Sequence, residues 1–314
     1  MRKRLWYMVA GGVLAAALCA GCAAGHEEEV FEEDPDAGYR RTVLYYLSDT
    51  GFIVPVMKRI PWEEGIGKAA LGYLVGTPAN EASAAGMGLK TIVPEGAGFS
   101  LRIGEDGAAA LDITGLTELA DAALEQAMIT SLVNTLTEFD SISTVSITID
   151  GAKVKALPHG TGLDTAMAAL PLNVEDSELA VSSDSAHALT LYFPNQNAGL
   201  NIPVTRYVAA DPTFAAAVEE LIAGPGSAAL RNCFPEGTAL RSAYIDSGVA
   251  YVDVTKEYLA VAQVDGLSAA ALNAICLTAN ALEPVYGVDL YVEGEPYSLH
   301  AGQVSASVYV NEFR

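Results

Sequence analysis

The chain states one plan twice, so any fold built from it has to be built in duplicate. Residues from about 44 to 157 and from about 189 to 299 pass the same landmarks in the same order. Each copy opens on an apolar strand, Val43-Leu44-Tyr45-Tyr46-Leu47 and Leu189-Thr190-Leu191-Tyr192-Phe193. Each then reaches a Leu-apolar-x-x-Pro stop, Leu74-Val75-Gly76-Thr77-Pro78 and Leu221-Ile222-Ala223-Gly224-Pro225. Pro94-Glu95-Gly96 is answered by Pro235-Glu236-Gly237, and Asp112-Ile113-Thr114 by Asp253-Val254-Thr255. Each copy closes on a strand ending acidic-Gly, Ile149-Asp150-Gly151 and Val292-Glu293-Gly294. Duplication sets the architecture before any single motif is weighed. It also speaks against an enzyme, since a catalytic set is rarely wanted twice on one chain.

At 314 residues, 51% of them hydrophobic, the sequence can hold two domains with real cores after an export segment. It carries 39 Asp and Glu against 17 Lys and Arg, a formal net charge of −22. Such a surface repels phosphate and anionic headgroups, which excludes nucleic acid as a partner and membrane adhesion by charge. Residence at a membrane therefore requires an anchor.

The N-terminus offers one. Arg2-Lys3-Arg4 precedes an apolar stretch over 8–18, shorter than the roughly 17–25 residues of a spanning helix. The stretch runs into Cys19-Ala20-Gly21-Cys22, the layout of a signal peptide over 1–21. Small residues before Cys22 resemble a lipobox, in which the thiol takes a diacylglycerol and becomes the mature N-terminus. Cys19 departs from that pattern, since Leu is usual three residues before the lipidated cysteine. Simple secretion and an uncleaved anchor are the alternatives. Loss of residues 1–21 leaves 14 basic against 39 acidic side chains, a charge of −25. Residues 22–41, with Glu27-Glu28-Glu29 and Glu32-Glu33-Asp34, read as an acidic tether.

The expected domains are 42–160 and 188–314, joined by a linker over 161–187 whose later part is acidic and Ser-rich. In the first, strands are expected over 43–47, 52–60, 89–93, 99–103, 108–113 and 145–149. Helices are expected from Pro61 to about 74 and over 123–138, with 79–88 as a loop. In the second, strands are expected over 189–193, 202–208, 239–245, 249–254 and 288–292. Asp211-Pro212 is read as the cap and first residue of a helix to 221, and Ser268 as the cap of a helix to 282. The fold class is α+β: two tandem repeats, each a small mixed sheet packed by two helices.

Candidate sites are few. Asp112 and Asp253 at equivalent strand ends have the chemistry for a metal or a sugar, but local hydrogen bonding is the simpler account. Glu95 and Glu236, the middle residues of Pro-Glu-Gly turns, need no further role. His26, His159, His187 and His300 show no metal-ligating spacing. Cys233 aligns with Ile92 and Cys276 with Val133, which points to buried free thiols, although an exported protein is permitted a disulfide. Tyr45, Tyr46, Tyr192 and Phe193 alternate toward and away from a core; outward ones are free to stack on a glycan or a partner. No catalytic residue, cofactor site or metal site is expected.

The Leu221 to Pro225 block, Phe234-Pro235-Glu236-Gly237-Thr238, Val252-Asp253-Val254-Thr255 and Val292-Glu293-Gly294 together resemble the GerMN domain family. The first repeat fits less closely, with Gly76-Thr77-Pro78 and a longer loop before Pro94. A lipobox followed by two such domains is similar to the sporulation and germination lipoproteins of endospore-forming Firmicutes. The resemblance implies a fold related to the ring-building motif of secretion-system proteins. It also implies a lipid-anchored protein on the extracytoplasmic face of the cell membrane. There it would be a scaffold or assembly factor for the complex between mother cell and forespore, acting in sporulation and germination. Implied partners are other envelope or sporulation-complex proteins and the membrane through the lipid, with a homo-oligomer or ring as a further option. Cys22 is the one functional residue the resemblance transfers. A peptidoglycan-binding or wall-modifying envelope lipoprotein is the alternative.

Overall fold

Alternating apolar residues become antiparallel hairpins at the start of both repeats. The computed structural model describes residues 38–175, 186–197, 199–209, 211–297 and 310–313. In the first repeat β1 (Tyr39–Ser48) pairs with β2 (Ile53–Pro61), Tyr45 opposite Pro55. Helix α1 (Ile66–Gly72), helix α2 (Pro78–Gly86) and the short strand β3 (Leu89–Lys90) follow. Strands β4 (Gly98–Ile103) and β5 (Ala108–Thr114) form a second hairpin. Helix α3 (Ala122–Thr137) then crosses over to β6 (Thr144–Ile149), which lies parallel to β5.

The second repeat follows the same route. Strands β7 (His187–Pro194) and β8 (Asn201–Val208) pair with Tyr192 opposite Pro203. Helix α4 (Phe214–Ala223) leads to β9 (Leu240–Asp246) and β10 (Val249–Val254). A 3₁₀ helix over Lys256–Gln263 and helix α5 (Leu267–Leu282) make the crossover to β11 (Gly287–Val292), parallel to β10, with β12 (Glu295–Pro296) beside it. The fold is α+β with two repeats, as expected.

The crossover helices are the centre of each core. Every residue of α3 from Ala127 to Leu136 is buried, which happens when a helix is covered on all sides. It packs on both β1 and β6, and α5 likewise packs on β7 and β11. Thr135 and Thr278, at the same place on these helices, accept hydrogen bonds from the amides of Tyr45 and Tyr192 at 3.3 and 3.1 Å.

Several local expectations change. The span 79–88, read as a loop, contains α2: Pro78 starts a helix rather than ending one. Thr77 is its cap, accepting from the Asn80 amide at 3.3 Å, and Pro at the first position lacks the N–H that a helix start leaves unused. The first helix begins at Ile66 rather than at Pro61, because Pro61 is still paired in the ladder with Tyr39 and Gly65 turns the chain at φ 82°. In the second repeat Thr213 caps α4, accepting from the Ala216 amide at 3.2 Å; Asp211 does not. Helix α5 is preceded by Gly266, and Ser268 is buried inside its first turn. Both thiols are free and buried, and burial pushes the Cys233 thiol up to about 12, away from reactive thiolate chemistry.

The span expected to be a linker is structured as far as it is described. Thr161 and Leu163 are buried, Met167 bridges to Val145, and the Leu170 peptide is held by the Asn134 amide at 2.7 and 2.9 Å. Met167, Leu170 and Leu172 pack against the buried core beside Leu163. The described residues form one compact unit.

Candidate functional site

The two most tempting acids are built into a turn. After β6 the chain reverses through Asp150 and Gly151, both at positive φ (49° and 75°). After β11 it does so through Glu293 and Gly294, at 55° and 83°. Asp112 on the neighbouring strand accepts from the Gly151 amide at 2.8 Å and from the Thr148 hydroxyl at 2.5 Å. Asp253 accepts from the Gly294 amide at 3.0 Å and from Arg241 Nε at 2.9 Å. The turn acid returns the bond: Asp150 accepts from the Gly115 amide at 3.0 Å, and Glu293 from the Lys256 amide at 3.1 Å. The Asp-apolar-Thr and acidic-Gly signatures are therefore two halves of one reciprocal lock, present in both repeats. These bonds give each acid a structural role at its turn, which accounts for its recurrence in both repeats without a ligand.

The Pro-Glu-Gly segments are tight turns, Ala97 N to Pro94 O at 3.3 Å and Thr238 N to Pro235 O at 3.1 Å. Gly96 and Gly237 sit at φ 90° and 85°, which a side chain would resist, and Glu95 and Glu236 are exposed. His159 rests on the Leu119 carbonyl at 2.8 Å and His187 lies 4.0 Å from Asp211; the structure does not bring them together. Glu125, buried at the start of α3, accepts from the His159 and Thr161 amides at 2.9 and 3.3 Å. Burial works to raise its pKa, and these bonds outweigh it and lower the value. Among the described residues no group of three or more His, Cys, Asp or Glu is placed to hold a metal. Cys22, His26 and His300 lie outside the described residues.

Tyr45 and Tyr192 of the two first strands come together near Glu138. Tyr46 and Phe193 are buried in their own cores. Tyr45 donates to Glu138 at 2.5 Å, and Tyr192 lies near enough to feel the Glu138 carboxylate; burial first, then this charge, push Tyr192 up to about 12. The neighbouring strands β2 and β8 are joined by two asparagines that the sequence reading passed over. Asn173 accepts from the Ile53 amide at 2.8 Å and donates to the Ile53 and Pro203 carbonyls at 2.8 and 2.7 Å. Asn311 accepts from the Asn201 amide at 2.7 Å and donates to the Asn201 and Pro55 carbonyls, both at 2.8 Å. By strand register Ile53 corresponds to Asn201 and Pro55 to Pro203, so the two clasps are related by a pseudo-twofold axis.

The segments that carry these asparagines are exchanged. Residues that follow the first repeat run along β8, where Glu175 bridges to Arg206 in parallel. Residues that follow the second repeat, as β13 (Glu312–Phe313), run parallel to β2 of the first. Arg206 anchors one strap through Glu175 at 2.6 Å and Glu220 at 2.7 Å. Its burial opposes the charge, and the two carboxylates more than offset that and raise its pKa. Pro55 and Pro203 fall at the same point of the second strands, where a proline marks an edge, but neither points to the distant asparagine that covers it. The cavity between the repeats, of 510 Å³, is lined by one charged side chain, Asp49, which pairs with Lys90 at 2.8 Å.

These features define a tandem pair of α+β domains fastened through reciprocal straps, with its duplicated acids tied into turns. The chain belongs to the Germane family, described as "Sporulation and spore germination", whose model matches residues 43–155 and 190–298. It is 28% identical over 263 residues to the spore germination protein GerM of Bacillus subtilis strain 168, an alignment spanning 80% of this chain and 71% of that protein. The solved tandem GerMN domains of the B. subtilis sporulation protein GerM share 26% identity and superpose with a TM-score of 0.70, covering 87% of this chain and 99% of that one.

Proposed function

We propose that this protein is a lipid-anchored extracytoplasmic scaffold that supports the complex between mother cell and forespore in sporulation and germination, and that it works by binding rather than by catalysis. Family membership supports the process. The observation that carries the mechanism is the pair of reciprocal locks: the acids that recur in both repeats are bound to backbone N–H groups, and what remains is a strapped two-domain body with solvent-facing sheets. Among the described residues no helix is long and apolar enough to cross a membrane. Attachment is assigned to a lipid on Cys22, and partners to other envelope proteins of the sporulation complex.

The test is a functional fluorescent fusion followed through sporulation, with Cys22 intact and as Cys22→Ala. Enrichment at the engulfing septum that is lost in the variant is the expected result. An even envelope signal in growing cells, unchanged by the substitution, would overturn both the placement and the anchor.

A further inference from the structure

The outer face of the second repeat's sheet carries more than its fold requires. Counting from the equivalent residues Asp112 and Asp253, Ala110 corresponds to Tyr251. Register then sets Arg102 and Ser146 beside Ala110, and Tyr244 and Asp289 beside Tyr251. The first repeat builds the same sheet with one long side chain in that row; the second fills the row with two tyrosines and a carboxylate. Tyr244 and Tyr251 stack on each other with centroids 5.0 Å apart and planes 14° from parallel, yet Tyr244 is 54% exposed. Tyr291 lies in the next row beside Asp253. At the end of the face Tyr286, 65% exposed, is seated on Gly248, where an added Cβ would come within 2.6 Å of the ring. The ring has been given a place, with its amide bonded to the Gly248 carbonyl at 2.9 Å.

The charge around these rings is one-sided. Arg241 neutralises Asp253 and Glu293 lower on the sheet. Asp246 and Asp289 flank Tyr251 closely enough to act on its hydroxyl, and among the described residues neither meets a cation. An exposed Tyr244 stacked on a half-buried Tyr251, beside unneutralised carboxylates, suits a guanidinium or ammonium group, which gains from the ring face and from the carboxylate together. Tyrosine is also the residue type from which interface hot spots are commonly built. On a chain of net charge −22 the long-range field draws in the same class of partner.

We propose that the outer face of β9, β10 and β11 is a docking surface for a basic segment of a partner protein. Arginine or lysine side chains of that segment lie over Tyr244 and Tyr251 and pair with Asp246 and Asp289. This names the chemistry of one partner of the scaffold and rests on that reading for its biological setting, while its test does not.

The test uses the full chain in detergent and fluorescence anisotropy with three labelled peptides, alternating Arg-Thr, Lys-Thr and Glu-Thr. The Arg and Lys peptides are expected to bind and the Glu peptide not. Tyr244→Ala with Tyr251→Ala is expected to weaken Arg-peptide binding about five-fold or more. Asp246→Asn with Asp289→Asn, isosteric and at the surface, is expected to weaken it about as much and to flatten its salt dependence. Glu63→Gln with Glu64→Gln, exposed acids of the first repeat, is expected to leave it unchanged. Equal loss in that control would show attraction by net charge alone, and no loss in the aspartate variant would overturn the site even if the tyrosine variant failed to fold. Septal localisation is read separately, so either result leaves the scaffold role independently measurable.

Discussion

Around Asp112 and around Asp253 the two repeats agree wherever the backbone must turn and part wherever the sheet meets water. The locks at Gly151 and Gly294, the threonines under β1 and β7 and the asparagine clasps are duplicated nearly atom for atom. The sheet faces are not: Arg102, Ala110 and Ser146 in one stand where Tyr244, Tyr251 and Asp289 stand in the other. A duplicated fold is its own control, since a feature in both copies is what the backbone needs. A feature in one copy is open to another explanation, and on this molecule the solvent-facing differences gather in the second repeat.

The comparison breaks most readily at the clasp. Asn173→Ala and Asn311→Ala each remove three hydrogen bonds and leave strand peptide groups unpaired, an expected loss of about 3 kcal/mol apiece in denaturant unfolding. Nearly equal losses would uphold the pseudo-twofold relation, and a large effect from one alone would refute it. Arg206 and Lys58 hold corresponding positions on β8 and β2, but Arg206 is tied to two carboxylates whereas Lys58 reaches the Ser83 hydroxyl at an exposed site. Arg206→Ala is expected to cost about 2–3 kcal/mol by stranding Glu175 and Glu220, and Lys58→Ala less than about 1 kcal/mol.

Acid should separate the repeats. Glu125 has a lowered pKa, and the corresponding helix position in the second repeat is Ser268. A depressed folded-state value means stabilisation that is present above the ordinary carboxylate range and is lost as pH falls through the lowered value. Protection of the His159 and Thr161 amides relative to their intrinsic exchange is expected to fall in that window, and Glu125→Gln should weaken the first repeat by roughly 1.5 kcal/mol at neutral pH while removing the acid response. A small effect is expected from writing the first face onto the second: Tyr244→Arg with Tyr251→Ala should cost about 1 kcal/mol, the worth of one stacked cross-strand pair. A larger fall would mean that those tyrosines serve the fold after all.

Strands, turns and crossover helices were legible because their signals are local and occur twice; Pro94-Glu95-Gly96 and Pro235-Glu236-Gly237 each confirm the other. Helix α2 was obscured because proline punctuates both ends of helices, and Thr77 decides which end only once its hydroxyl is seen to meet the Asn80 amide. The clasps were illegible for another reason. Asn173 bonds residues 120 and 30 positions away, and Asn311 residues 256 and 110 away, separations over which no periodicity carries information. Tyr251 could be placed on a strand but not on a face shared with Asp289, because strand order was unknown.

The exchanged straps also set an order of events. The strand that borders β2 comes from residues 312–313, so the early repeat waits for chain that is synthesised long after its own sequence. The later repeat has no such delay, since residues 172–175 precede it and stand ready when β8 arrives. In a protein that folds as it emerges, the half made first is finished last. A chain stopped before residue 310 would keep the strap of its second repeat and lack that of its first, so that damage at one end of the sequence is felt at the other end of the molecule.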